Sequence, residues 1–102
     1  GLYENVPRMF AGPPGHEGSL AARIHKNRLR VPPILDFLQS LGIEEEEMFR
    51  TYNMGIGMVL AVAAGDADRA VSMLESAGTP AWNIGEVEAG GKPACEGGAC
   101  ID

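Results

Sequence analysis

The chain has 102 residues, enough for one domain, and its balance of 45% hydrophobic and 22% charged residues excludes a fully disordered protein. A formal net charge of −6 argues against a nucleic-acid binder. No apolar run approaches the roughly 20 residues that span a bilayer, so we expect no membrane partner. The two cysteines, Cys95 and Cys100, are too few for a disulfide framework, which predicts a reducing, cytoplasmic environment.

The first part of the chain predicts a short helix and a strand. Residues 1–10 indicate a glycine turn leading into a helix, which Pro7 shortens or bends. Residues 12–15, Gly-Pro-Pro-Gly, predict a loop. Residues 19–25 alternate between apolar and other side chains and predict a strand.

The clearest helix begins at Pro32-Pro33 and ends at Gly42. Its apolar residues recur at helical spacing, and they are Ile34, Phe37, Leu38 and Leu41. A second short helix is expected to begin in the acidic run 44–47. Four successive carboxylates point around a helix, so this run is interpreted as a solvated helix start and not as a metal site.

The second half predicts a strand, a helix and a strand. Residues 54–62 are nearly all apolar and indicate a buried strand, and residues 81–87 indicate another. Between them Asp66 is expected to cap a helix that Gly78 ends. The apolar stripe of that helix consists of Ala67, Ala70, Val71, Leu74 and Ala77. If the two strands are parallel neighbours, the connection is a right-handed crossover.

The predicted fold class is α/β or α+β, a small sheet covered by helices. We expect a domain at residues 1–90 and a flexible tail rich in glycine and cysteine at 91–102. Cys95 and Cys100 could bind metal or form a disulfide, although incidental thiols are the favoured interpretation because two ligands do not complete a zinc site.

Two glycine-containing segments are candidates for a binding site. Gly55 and Gly57 follow Asn53 and indicate either tight packing or a site wall that a side chain would block. Gly1 leads into a helix, whose free N–H groups attract phosphate. His16 and His25 have no nucleophile partner in the sequence, and both are interpreted as surface residues. The basic cluster at 25–30 could meet a phosphate, but charged patches more often only solvate a surface.

Four motifs in order resemble the C-terminal part of the phosphoribosylformylglycinamidine cyclo-ligase family, the aminoimidazole ribonucleotide synthetases. They read GLYENVPR at 1–8, VPPI at 31–34 with FL at 37–38, EMFRTYNMGIGM at 47–58, and AWNIGEV at 81–87. The first resembles the end of a Thr-Gly-Gly-Gly-x-x-Glu-Asn-x-Pro-Arg stretch. The resemblance covers residues 1 to about 90.

The resemblance implies an enzyme of de novo purine synthesis that uses ATP and magnesium to close the imidazole ring of formylglycinamidine ribonucleotide. It implies activation of the formyl oxygen by phosphoryl transfer, attack of the amidine nitrogen and loss of phosphate. Family members pair an N-terminal ATP-binding domain with a C-terminal α/β domain of partly ferredoxin-like character, and they are homodimers. Since only one glycine of the triple-glycine motif precedes the helix, we expect a fragment that is inactive alone.

The resemblance implies that cleft residues lie at the first helix and at the glycine-containing segment. The candidate substrate-binding residues are Gly1, Glu4, Asn5, Arg8, Asn53, Gly55 and Gly57. No residue is assigned a catalytic role or a metal, and ATP and magnesium are expected to bind mainly outside this chain. Two alternatives stay open: a free-standing ligand-binding or dimerisation module, and a related enzyme such as the glutamine amidotransferase of the preceding step, selenophosphate synthetase or thiamine-phosphate kinase.

Overall fold

A three-stranded sheet lies at the centre of the computed structural model, which describes residues 1–10, 20–89 and 99–102. The strands are β1 (Leu20–Ile24), β2 (Gly85–Ala89) and β3 (Ala99–Ile101). Their order in the sheet is β2-β1-β3, with β1 antiparallel to β2 and parallel to β3. The strand predicted at 19–25 is thus confirmed for its described residues, and it is the middle strand.

Four α-helices accompany the sheet in the described ranges, and the predicted mixed α/β class is confirmed. They are α1 (Leu2–Asn5), α2 (Pro33–Ser40), α3 (Glu45–Thr51) and α4 (Ala67–Ser76). All four were expected from the sequence. The predicted loop at 12–15 and His16 lie outside the described residues.

The ends of the helices follow local sequence signals. The chain tightens from α1 into a 3-10 helix at Val6–Phe10, where Pro7 supplies no N–H for an α-helical bond. Gly78 adopts a left-handed φ of +88° after α4. Its N–H bonds to the Glu75 carbonyl and that of Thr79 to the Leu74 carbonyl, each at 3.0 Å, which is a Schellman motif. Asp66 does precede α4, but its side chain makes no capping bond there.

The core joins α1, α3 and the sheet. Its buried members are Leu2, Val6, Ala22, Ile24, Met48, Phe49, Met54 and Ile101. Met48 is completely buried on α3, whose acidic first turn stays exposed as predicted. Truncating such a side chain to alanine typically costs about 2–5 kcal/mol. The first helix and the last strand therefore depend on the same core.

The buried strand predicted at 54–62 is wrong. Residues 53–56 form a turn, closed by the Ile56 N–H on the Asn53 carbonyl at 2.9 Å, and residues 57–62 form neither helix nor strand. Both neighbours of β1 are already present, so this run finds no place beside the central strand. Met58 remains 80% exposed. Without that strand, the predicted right-handed crossover is absent as well.

The strand predicted at 81–87 begins four residues later, at Gly85. Trp82 and Asn83 instead fasten the chain to the segment that follows β1. The Trp82 indole donates to the Arg28 carbonyl at 2.6 Å, and the Asn83 side-chain oxygen accepts from Arg28 and from the Gly85 N–H, both at 3.0 Å. These contacts set where β2 starts.

The flexible tail predicted at 91–102 is wrong for its last described residues. Residues 99–101 form β3, and all three are buried. Cys100 is disulfide-bonded, so it is not the incidental thiol that was expected. The only other cysteine of the sequence, Cys95, lies outside the described residues.

The outer surfaces of α2 and α4 have no cover from the described residues. Phe37 of α2 is 58% exposed, Leu41 directly after α2 is 67% exposed, and Met73 of α4 is 63% exposed. Leu35 and Leu38 pack against the core from the other side of α2. Helix α2 therefore carries apolar side chains on two sides, of which the core occupies one.

Candidate functional site

A groove of about 240 Å³ lies between the N-terminal helical segment and the turn that follows α3. Its lining from the first segment is Leu2, Asn5, Val6 and Met9. Its lining from the second segment is Asn53, Ile56, Gly57, Met58 and Val59. Most of the wall is apolar, and this is the character of ligand-binding clefts in general.

Two carboxamides supply the polar groups of the groove. Asn5 Nδ2 donates to the Gly1 carbonyl at 2.9 Å, so one of its donors is used within α1. The Asn53 side chain is exposed and makes no hydrogen bond to any described residue. In the groove, the Asn5 side chain is therefore held by α1, while the Asn53 side chain is available to a ligand.

Gly55 and Gly57 lie in different structural environments. Gly55 has φ +90°, and a Cβ there would come 2.6 Å from Pro32 Cδ and 2.9 Å from the Arg30 carbonyl oxygen. The close approach of backbone predicted for this segment is confirmed at Gly55. A Cβ on Gly57 would meet nothing within 4 Å. Since Gly57 lines the groove, a side chain there would take up free space in it.

Met54 precedes Gly55 in the same turn, also with a left-handed φ, +51°. This conformation is costly for a residue with a Cβ. Met54 is only 2% exposed, and burial of its side chain in the core offsets that cost. The buried Met54 side chain thus anchors the turn that presents Asn53.

Gly1 packs against the end of α3. A Cβ there would collide with the main-chain carbonyl of Arg50 and would come 2.7 Å from the Phe49 carbonyl oxygen. This close packing explains the glycine without a ligand. Carbonyl oxygens beside Gly1 are moreover unfavourable neighbours for the phosphate predicted at this helix start.

The structure brings together three of the seven candidate residues. Asn5, Asn53 and Gly57 share the groove. Gly1 and Gly55 are packing positions, and Glu4 and Arg8 are exposed side chains that do not line it. The sequence did not identify the other lining residues, which are Leu2, Val6, Met9, Ile56, Met58 and Val59. Ile56, Met58 and Val59 were assigned to a buried strand, and their proximity to the two glycines was the only signal for them.

The basic cluster at 25–30 is engaged within the chain. His25 Nε2 lies 2.9 Å from a Glu86 carboxylate oxygen, and Lys26 pairs with Glu45. The Arg30 guanidinium lies 4.1 Å from the centroid of the Trp82 ring. These contacts favour the surface interpretation of His25 and its neighbours over a phosphate site.

Arg23 links the three strands. Its guanidinium bonds Glu88 of β2 at 3.0 Å and Asp102, which follows β3, at 2.6 Å. The hydrogen bond that Arg23 donates to Glu88 raises the pKa of Arg23 above its usual range, against a smaller opposing effect of desolvation. Arg23 is therefore charged at any physiological pH and serves the sheet, away from the groove.

The described residues offer neither a cluster of metal ligands nor a membrane-spanning helix. These residues contain no group of three or more His, Cys, Asp or Glu side chains that could hold a metal ion. Their helices include none with the length and apolar character needed to cross a bilayer.

Comparison with known proteins identifies the family. The profile described as "AIR synthase related protein, C-terminal domain" matches residues 1–97. The chain belongs to this family. The resemblance found in the four sequence motifs is thereby confirmed, and the AIR synthase related C-terminal domain accounts for α1 to β2.

Relatives of this AIR synthase related domain carry the name phosphoribosylformylglycinamidine cyclo-ligase. The proteins from Clostridium novyi (strain NT) and Lachnoclostridium phytofermentans are 46% and 48% identical over 93% of the chain. The Geobacillus kaustophilus protein is 48% identical over 96% of it. The chain spans only 26–27% of the length of these relatives.

Proposed function

We propose that the chain is the C-terminal part of an ATP-dependent phosphoribosylformylglycinamidine cyclo-ligase. The main support is identity of 46–48% along 93–96% of the chain to relatives of that name. The reaction would convert formylglycinamidine ribonucleotide to aminoimidazole ribonucleotide in purine biosynthesis. We place it in the cytoplasm, in a homodimer of the whole enzyme.

The proposed chemistry has two steps. The formyl oxygen accepts the terminal phosphoryl group of ATP, and ADP is released. The amidine nitrogen then attacks the activated carbon, and phosphate leaves as the ring closes. We propose that ATP and magnesium bind mainly to the remainder of the enzyme, since the described residues contain no group of three or more potential metal ligands.

The role proposed for this chain is to bind the substrate. Asn5 and Asn53 would hold polar atoms of the substrate, while Gly57 leaves space for it. None of the groove residues is a proton donor or nucleophile of the kind used in catalysis. We therefore expect no turnover by the 102 residues alone.

The free-standing module is the second candidate, and the exposed apolar side chains argue against it. One apolar side is exposed along α2 and at its C-terminal end, formed by Ile34, Phe37 and Leu41. A lone soluble module would rarely expose such a surface to water. This exposure supports a chain that works against further polypeptide. Among the related enzymes, the names of the relatives above favour the cyclo-ligase.

A chimera tests the proposal directly. In it, this chain replaces the matched segment of the Geobacillus kaustophilus relative, whose alignment spans 99 residues. We expect ATP-dependent conversion of formylglycinamidine ribonucleotide, measured by ADP release and product formation. A folded chimera without this activity would contradict the proposal. Turnover of the amidotransferase substrate instead would favour that enzyme, and turnover by the chain alone would contradict the expected inactivity.

A further inference from the structure

We propose that Asn53 selects the substrate by hydrogen bonding to its formamide and amidine end, and that the groove does not hold the ribose phosphate. This inference rests on the proposed function and deepens it. It assigns one end of the substrate to the groove and one side chain to its recognition. From the sequence, the start of the first helix could meet either the ribose phosphate or the substrate amide.

The charge of the groove is the first reason. None of its nine lining residues is charged. A phosphate that enters an apolar groove without a cationic partner loses hydration that two carboxamides do not replace. The amide and amidine groups of the substrate carry N–H donors, and a carboxamide oxygen is a suitable acceptor for them.

The surroundings of Gly1 are the second reason. The predicted phosphate position lay at the start of α1, but this helix has only 4 residues, too few for a substantial dipole. The Phe49 carbonyl oxygen and the Arg50 carbonyl approach Gly1 closely enough to exclude a Cβ. Their partial negative charge makes the start of α1 an unfavourable position for an anion.

The difference between the two carboxamides assigns the role to Asn53. Asn5 donates one N–H to the Gly1 carbonyl at 2.9 Å, so the orientation of its side chain is fixed by α1 although its oxygen can still accept. The Asn53 side chain has no bond to a described residue, while its backbone is held by the turn to Ile56. Because the backbone of Asn53 is already held, only its side-chain rotamer has to be ordered when a ligand binds.

The test measures binding to the chimera defined above, by calorimetry without ATP. Two ligands are compared: formylglycinamidine ribonucleotide and the corresponding ribonucleoside, which lacks the phosphate. Asn53→Leu removes the hydrogen bonds at similar size, and Asn53→Lys adds a cation. Asn27 provides the matched control, because its side chain is exposed, lies outside the groove and makes no bond to a described residue.

We expect Asn53→Leu to raise Kd about tenfold for both ligands, the usual effect of losing one or two hydrogen bonds. Asn53→Lys should raise both as well, while Asn27→Leu and Asn27→Lys leave them unchanged. Tighter binding of the ribonucleotide alone by Asn53→Lys would overturn the inference in favour of phosphate. Unchanged binding by Asn53→Leu would overturn it too, with the proposed function intact. A folded parent chimera that neither binds nor turns over substrate would overturn the proposed function, and this inference with it.

Discussion

The guanidinium of Arg30 lies 4.1 Å from the centroid of the Trp82 ring. The same indole donates to a main-chain carbonyl two residues earlier, at Arg28. The aromatic side chain therefore ties the segment after α4 to the segment after β1. This connection holds the start of β2 in register, although Trp82 itself is outside the strand.

Replacing Trp82 with Phe should weaken this tie without removing the aromatic ring. We expect a loss of about 1 kcal/mol in the free energy of unfolding, because the Arg28 carbonyl loses its donor. A double-mutant cycle with Arg30→Met should give a separate coupling of about 0.5–1 kcal/mol. Urea denaturation followed by far-UV circular dichroism measures both. No loss in Trp82→Phe would mean that water replaces the indole donor.

Alanine substitutions at three glycines should separate backbone strain from close packing. Gly55 has both a positive φ and atoms of Pro32 and Arg30 within 3 Å of a new Cβ. Gly42 has φ +106° but open space, and Gly57 has open space without a positive φ. We expect losses in the free energy of unfolding of about 3 kcal/mol or more at Gly55, about 1–2 at Gly42 and about zero at Gly57. Equal losses at Gly55 and Gly42 would show that Pro32 moves aside.

Gly57→Val should abolish the activity of the chimera while leaving its stability nearly unchanged. A Cβ at position 57 meets no atom within 4 Å, so valine should not disturb the packing. Because Gly57 lines the groove, we expect the valine side chain to fill space that the substrate would need. Gly65→Val is the matched control, because its Cβ also meets open space and it lies in the 3-10 helix before α4. Steady-state kinetics measures the activity of both variants, and thermal denaturation measures their stability. Full activity of Gly57→Val would contradict the groove as a substrate site.

Polar substitutions on the two sides of α2 should lower the free energy of unfolding to very different extents. Leu38→Ser faces the core and should cost about 2–4 kcal/mol in the free energy of unfolding. Phe37→Ser changes an exposed side chain and should alter it by less than about 0.5 kcal/mol. Because Phe37 and its neighbours are exposed, we expect the isolated chain to self-associate, and Phe37→Ser should reduce that association, measured by sedimentation velocity. Unchanged association would mean that α2 is not the contact surface.

Local signals in the sequence were sufficient for the helices. Pro33 and Gly42 mark the ends of α2, and Gly78 ends α4 through bonds to residues three to five positions away. The strands depend on partners far along the chain, and there the predictions were weaker. An apolar run such as 54–62 predicts a buried strand, but it does not show which strand it would pair with. Strand β3 has too few residues to show a pattern.

The site was predictable to a similar extent. The glycine at position 55 indicated a close backbone approach, which Pro32 and Arg30 provide. That Asn5 and Asn53 meet across one groove follows only from the packing of α1 on α3, a long-range relationship. Their use as ligands of the substrate remains a prediction.

The position of β1 between two late strands has a consequence for biosynthesis. Arg23 pairs with residues 65 and 79 positions further along the chain, and the core residue Ile24 lies beside Ile101. During translation both edges of β1 stay unpaired until β2 has left the ribosome, and the second edge stays unpaired until β3 follows. Nascent chains are therefore most vulnerable to aggregation before β2 and β3 emerge, and a chaperone that shields β1 would act in that interval.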